Sequence, residues 1–218
     1  MLLHDIALHL KLILIAALTY GISVTFAGAF KAWVAKKSGD STAEHEGYLT
    51  LDPIAHIDPF GLFFLTYTML YTRFPFGWGK YVPVNPYQIS GPWRDAKIMA
   101  TYYADMGIHL LFTVIAMLVM PLLAILAING FAQADLLVTI TSIFLQFNSM
   151  LGVLRFIQNS VLLASIHFIE RHPSYAVHIH MASLVASILL LYTFGHHISI
   201  GFYIIAGLIS KGIQSLFI

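Results

Sequence analysis

The sequence lacks cysteine altogether and contains few charged residues. The absence of cysteine in its 218 residues excludes disulfides and thiolate metal sites. Only 10% of the residues are charged, whereas soluble domains carry about 25%. The net charge of +1 gives no indication of a nucleic-acid-binding patch. Hydrophobic residues make up 59% of the chain and the mean hydropathy is +0.82, so we expect a protein of the lipid bilayer.

The common sequence patterns of catalytic sites are also missing. The sequence has no H-E-x-x-H zinc motif, no glycine-rich phosphate loop and no nucleophile elbow. The nearest inverted zinc motif runs from His167 to His172, but Arg171 occupies its second ligand position. Eleven histidines and a few acidic residues therefore remain as the available metal ligands.

Apolar runs along the chain predict an all-α integral membrane protein. We expect one transmembrane domain over residues 1–218, a bundle of about five to six spanning helices with an interfacial loop. The first span covers roughly Ile6 to Ala35 and ends at Lys36 and Lys37. We interpret it as a retained span rather than a signal peptide, because Asp5 stands where a positive flank is expected and no cleavage site follows.

Five further apolar regions follow the first span. The region over residues 60–71 is short for a crossing. The region over residues 136–169 is too long for one simple span, which predicts that it forms two helices or one kinked helix. The last two regions are a span that ends near residue 194 and a segment that reaches the C-terminus. The first three of these regions are residues 60–71, 97–127 and 136–169.

Two polar stretches separate the apolar runs. Residues 38–59 form a polar loop, and residues 73–95 are rich in proline, glycine and aromatics, which predicts an interfacial hairpin or loop. Within the second stretch, residues 80–89 alternate like a strand, and prolines restrict that strand to an edge position. The candidate edge residues for a partner strand are Lys80, Val82, Val84 and Asn85.

Five polar side chains interrupt the apolar runs and are candidates for an intramembrane site: Lys31, Asp105, His109, Asn148 and Arg155. A charge at the bilayer centre costs about 2.5–3.5 kcal/mol on insertion scales, so each needs a partner, a wet cavity or an interfacial position. Asp105 and His109 stand four residues apart and could pair along one helix. Arg155 could cap a cavity or meet Asp105, and Lys31 could snorkel to the interface.

An Asp-Pro pair occurs twice around a histidine in the first polar loop. Asp52-Pro53 and Asp58-Pro59 flank His56. Such pairs are typical of turns and of helix starts, and we expect that to be their main role.

The loop from Gly47 to Gly61, GYLTLDPIAHIDPFG, and the later PFGWGKYVPVNP over residues 75–86 resemble the site-2 protease family of intramembrane zinc metalloproteases. The similarity is strongest to compact members without large soluble insertions, and it covers roughly Phe26 to Leu111. The resemblance implies a helical membrane fold and an ancestry among zinc endopeptidases.

The same resemblance places the zinc-binding pentapeptide of the family on residues 27–31. Its first histidine falls on Ala27, its glutamate on Gly28 and its second histidine on Lys31. The third ligand, an aspartate in the family, falls on Phe156, preceded by Arg155. None of these residues can bind zinc or activate water, so no catalytic residue, cofactor or metal is expected.

We therefore expect a catalytically inactive, site-2-protease-like membrane protein. Its role would be that of an accessory subunit in a membrane complex, or of a binder of transmembrane segments. Its partners would be the bilayer and other integral membrane proteins, and its location the bacterial inner membrane. Lys31 and Arg155 would replace the charge of the metal by pairing with Asp105, Asp58 or another acid.

Two other function classes remain open at the level of sequence. An active zinc metalloprotease with a displaced site would use His56 and Asp58, with His45, Glu46 and His109 as companions. An intramembrane proton or ion path would use four of the intramembrane candidates, namely Lys31, Asp105, His109 and Arg155.

Overall fold

The computed structural model describes residues 2–175, 177–189 and 193. Three of its helices are long and apolar enough to cross a membrane, over Ile6–Ser38, Arg94–Ile128 and Ala134–Ala164. The chain is thus a helical membrane protein. In chain order the helices are α1 (Leu2–Ser38), α2 (Thr42–His45), α3 (Pro53–His56), α4 (Pro59–Tyr71), α5 (Arg94–Ile128), α6 (Ala134–Ala164), α7 (Ile166–Arg171) and α8 (Val177–Leu189).

The main apolar core lies where α1, α4 and α6 meet. Tyr20 of α1 is fully buried, and its ring packs edge-on against Phe147 of α6 with 5.8 Å between the ring centroids. Leu65 and Met69, one turn apart on α4, close this core from the third side. The three helices therefore pack together through apolar side chains that are buried against one another rather than exposed to lipid.

The Asp-Pro pairs begin two helices, as their sequence indicates. Asp52 Oδ1 accepts a hydrogen bond from the Ile54 backbone at 3.0 Å, at the start of α3. Asp58 Oδ1 accepts one from Gly61 at 2.8 Å, at the start of α4. In both helices the proline occupies the first turn, where no backbone donor is needed.

The Tyr20 side chain is one of the attachments of the loop between α1 and α4 to the bundle. The Tyr20 hydroxyl contacts the backbone oxygen of Asp58 at 3.0 Å and that of Trp78 at 2.8 Å, and it lies 3.0 Å from the Asp58 backbone nitrogen. One buried phenol thus joins α1, the start of α4 and the stretch that follows α4.

Several predicted boundaries need correction or refinement. The apolar region 136–169 forms two helices, one of the two predicted alternatives: α6 continues without interruption to Ala164, and the short α7 follows after Ser165. α4 has 13 residues and is about 20 Å long, too short for a hydrocarbon core of about 30 Å. The stretch 73–93 is a loop rather than a hairpin, because the pairing of Ile57 with Gly79 is an isolated bridge.

Two predicted spans extend beyond the described residues. The span expected to end near residue 194 is described as α8 up to Leu189. The apolar segment expected to reach the C-terminus lies outside the described residues, and the expected total of five to six spans stays a prediction.

Candidate functional site

A buried charge cluster forms where the three long helices meet. Lys31 of α1 lies with its Nζ 3.2 Å from Oδ2 of Asp105 on α5. Nε of Arg155 on α6 approaches the same oxygen at 3.6 Å. Lys31 is 2% exposed, Asp105 5% and Arg155 8%. The structure thus brings together three of the predicted intramembrane residues, with two cations on one carboxylate.

Neutral groups supply further hydrogen bonds to this cluster, and Arg155 Nε and Gln158 Nε2 are buried without a hydrogen-bond partner. Asn159, one turn beyond Arg155 on α6, donates to Asp105 Oδ1 at 2.9 Å and accepts from Lys31 Nζ at 3.3 Å. The Arg155 guanidinium donates to Gln158 Oε1 and to the Gly79 carbonyl, both at 3.1 Å. The cluster thus combines two basic side chains with one acidic side chain.

The expected pairing between Asp105 and His109 is not the contact that forms. His109 Nδ1 lies 2.9 Å from Oδ1 of Asn148, whose amide nitrogen donates to Ser23 Oγ at 2.9 Å. Asp105 faces the cations of α1 and α6 instead. A neighbour on the same helix offers only a weak partner, whereas two facing cations compensate the cost of burying a carboxylate.

Lys31 does not snorkel, and small residues one turn before it explain why it can stay inside. Ala27 is 2% exposed and leaves the space beside the cluster unfilled by any long side chain. A cavity of about 10 Å³, about the size of one water molecule, remains there between Ala27, Gly28, Asp105, His109 and Arg155. The cluster is therefore packed nearly to completion.

His56 of the first polar loop is inserted against Gly28. Its Nε2 donates to the Thr50 carbonyl at 2.9 Å, so Nδ1 carries the lone pair, and Nδ1 has no hydrogen-bond partner. A Cβ atom on Gly28 would lie 2.3 Å from this Nδ1. Burial lowers the pKa of His56 below its usual range, so the ring is neutral. The absence of a side chain at Gly28 thus allows the His56 ring of the loop to pack against α1.

These residues do not fit a zinc ion at the place that the family resemblance indicates. Ala27 and Gly28 offer no donor atom, and the Lys31 ammonium and the Arg155 guanidinium occupy the interior. Phe156 is 54% exposed and points away from the cluster. Zinc sites need three or four neutral-imidazole, thiolate or carboxylate ligands. No three His, Asp or Glu side chains come together in this way among the residues 2–175, 177–189 and 193.

The candidates for a displaced metal site are also separated. His45, the last residue of α2, and Glu46, which follows it, are exposed, whereas His109 is 1% exposed inside the bundle. His56 bonds Thr50, and Asp58 caps α4. In the described part of the chain these five side chains supply no set of three ligands.

The predicted edge residues form an extended stretch that is fixed at both ends. The Lys80 backbone nitrogen donates to the His56 carbonyl at 2.8 Å, and its Nζ donates to the Ile54 carbonyl at 3.0 Å. The Asn85 backbone nitrogen donates to Asp40 Oδ2 at 2.7 Å. Between them Val82 is 4% exposed and Val84 is half-buried. Within the described residues this stretch belongs to no sheet.

Sequence reasoning gave too little weight to Asn159. Its position four residues after Arg155 places both side chains on one face of α6, which is the signal that could have joined it to the cluster. The contribution of the Gly79 carbonyl could not be found in this way, because a backbone oxygen leaves no trace in a sequence pattern.

Comparison with known proteins gives one partial similarity. The chain is 44% identical over 68 residues to "Putative zinc metalloprotease YwhC" of Bacillus subtilis (strain 168). The match covers 31% of this chain and 28% of that protein, so it spans less than a third of the curated relative. No protein-family model matches the chain. No solved structure matches it either.

Proposed function

We propose that this chain is a site-2-protease-like protein of the bacterial inner membrane that binds membrane segments of partner proteins without cleaving them. The family resemblance of residues 26–111 and the partial similarity to a protein named as a zinc metalloprotease support the ancestry. The charge cluster supports the loss of the reaction. It is the single observation on which the proposal rests.

Zinc-dependent peptide hydrolysis needs ligands, an open coordination position and a base that acts on the bound water. At the corresponding place this chain has the salt bridge between Lys31 and Asp105, reinforced by Arg155. A fixed ammonium and guanidinium would supply positive charge to the interior in place of a metal. They offer neither a Lewis acid nor a bound water. The helix bundle would keep its fold but could not catalyse zinc-dependent peptide hydrolysis.

Binding of a partner segment would use the extended stretch from Lys80 to Asn85. Within the described part of the chain, no hydrogen bond reaches the backbone N–H groups of Val82 and Val84. An extended peptide can pair with such an edge through main-chain hydrogen bonds. The role that follows is that of an accessory subunit, whose partners are other integral membrane proteins.

Metal content and cleavage test the loss of activity. Protein purified in mild detergent should contain zinc well below one ion per chain, and it should leave a transmembrane reporter intact. Stoichiometric zinc, or cleavage that a chelator and His56→Ala both abolish, would contradict the proposal in favour of a displaced metal site.

Partner capture tests the binding role. Val84→Pro removes the backbone donor, whereas Val84→Thr keeps it and serves as the matched control. Integral membrane proteins that co-purify with the wild type and the threonine variant should be lost from the proline variant. Equal recovery from all three would exclude the edge as the binding surface.

An ion path is less well supported by the geometry. The cavity beside Asp105 and His109 accommodates about one water molecule, whereas conduction needs a continuous wet path. Proton flux in reconstituted vesicles that Asp105→Asn abolishes would favour this class over the binding role.

A further inference from the structure

A second, larger concavity lies on the outside of the bundle, and it is apolar. It measures about 390 Å³ and runs between one face of α1, the loop after α2 and α5. Below it is called the α1 groove, lined by Phe26, Ala29, Phe30, Trp33, Leu49, Thr50, Leu51 and Ile108. Ala29 is the smallest of the α1 side chains that line the groove, so the groove is deepest at Ala29, between larger side chains. The charge cluster does not contribute to this groove.

We expect the α1 groove to lie within one leaflet of the membrane. Its α1 residues, from Phe26 to Trp33, cover about 10 Å of the helix axis. Lys37 follows one turn later, about 16 Å from Phe26 along the axis. That length is about half of a hydrocarbon core of roughly 30 Å. The groove therefore extends from the bilayer interior to the interface, where the lysine stands.

An uncompensated cation marks the interfacial end of the groove. Lys36 is paired with Glu44, whose Oε1 lies 2.5 Å from its Nζ. Lys37 is exposed and has no carboxylate partner among residues 2–175, 177–189 and 193. Its Nζ lies 5.9 Å from the centre of the Trp33 ring, which forms part of the groove. Apolar walls thus end at an accessible positive charge.

We propose that the α1 groove is a binding site for an anionic phospholipid, with one acyl chain along Phe26–Trp33 and the headgroup phosphate at Lys37. The combination of an apolar channel and a terminal cation matches the two halves of that molecule. The inference does not depend on the proposed loss of protease activity.

Native mass spectrometry of the full chain in detergent micelles tests the site. The probes are phosphatidylglycerol and phosphatidylcholine with identical acyl chains. We expect about fivefold tighter binding of phosphatidylglycerol, the equivalent of the ~1 kcal/mol that one lysine contributes near anionic lipid. Lys37→Gln should remove this preference. Lys11→Gln, at the other end of α1 and also exposed, should keep it.

The acyl half of the site is tested separately. Ala29→Phe would fill the floor of the groove and should weaken both lipids at least fivefold. Leu18→Phe adds a ring at a position of α1 that is 60% exposed and should change nothing. Should Ala29→Phe fail to fold, Leu51→Ser removes a 61% exposed apolar wall and should also weaken binding.

Equal affinities for the two lipids, or unchanged binding by Ala29→Phe and Leu51→Ser, would overturn the proposal. A photo-crosslinking amino acid in place of Trp33 distinguishes the remaining occupant. Adducts with phosphatidylglycerol support the site, whereas adducts with a membrane protein alone overturn it.

Discussion

Replacement of Gly28 by alanine tests whether the His56 ring packs directly against Gly28 of α1. The added Cβ would lie 2.3 Å from Nδ1, 2.9 Å from Cε1 and 3.2 Å from Cγ of the imidazole. The ring cannot simply withdraw, because it is 1% exposed and its Nε2 is bonded to the Thr50 carbonyl. Either the loop or α1 must move.

The size of the effect follows from three contributions. Overpacking costs about 1–3 kcal/mol, and loss of the hydrogen bond between His56 and Thr50 costs about 1 kcal/mol more. The higher helix propensity of alanine returns up to ~1 kcal/mol. We expect Gly28→Ala to lower the free energy of unfolding by about 1–3 kcal/mol. Thermal unfolding in detergent measures this change.

Gly21→Ala is the matched control, since it lies on the same helix and a Cβ there would meet nothing within 4 Å. It should leave the stability unchanged or slightly raised. In a His56→Ala background, Gly28→Ala should lose its effect, because the clashing ring is gone. Equal melting temperatures for Gly28→Ala and Gly21→Ala would refute the reasoning. For the same steric reason, Gly28→Glu alone should not restore a protease.

Three further predictions concern the interior and the first loop. Asp105→Asn leaves the cations of Lys31 and Arg155 without their shared carboxylate and should cost about 3–5 kcal/mol in unfolding experiments, whereas Lys31→Met should cost less because Arg155 still pairs with Asp105. Tyr20→Phe leaves backbone groups of two loop segments unpaired and should cost about 1–3 kcal/mol, seen as a lower melting temperature. Burial lowers the pKa of His56, so the unfolded chain takes up the proton first as the pH falls below about 6.5. Stability should therefore decline in that acidic range, with a smaller decline in His56→Asn; identical pH profiles would contradict this assignment.

The sequence predicted the membrane class and many of the helical boundaries. Long apolar runs between polar loops are sufficient for that, as α1 and α5 show, and Asp-Pro pairs identify helix starts because their chemistry is local. The predicted inactive or accessory role and the bacterial inner membrane stay predictions.

Contacts between distant segments were harder to predict. The spacing along α5 predicted His109 as a partner of Asp105. Pairing of Asp105 with Lys31, 74 positions distant in the chain, was expected only from the family resemblance and with other acids as alternatives. The approach of His56 to Gly28 was also invisible, since a glycine in an apolar run has many explanations. Such contacts depend on how helices are placed relative to each other, which local patterns do not encode.

The charge cluster also has a consequence for biosynthesis. Its three charged members leave the ribosome at widely different times, with Lys31 first and Asp105 74 residues later. Until α5 arrives, Lys31 has no acid, and its nearness to Lys36 lets its amine reach the interface. The buried salt bridge can therefore form only after α5 has entered the membrane, which makes it a late step of assembly.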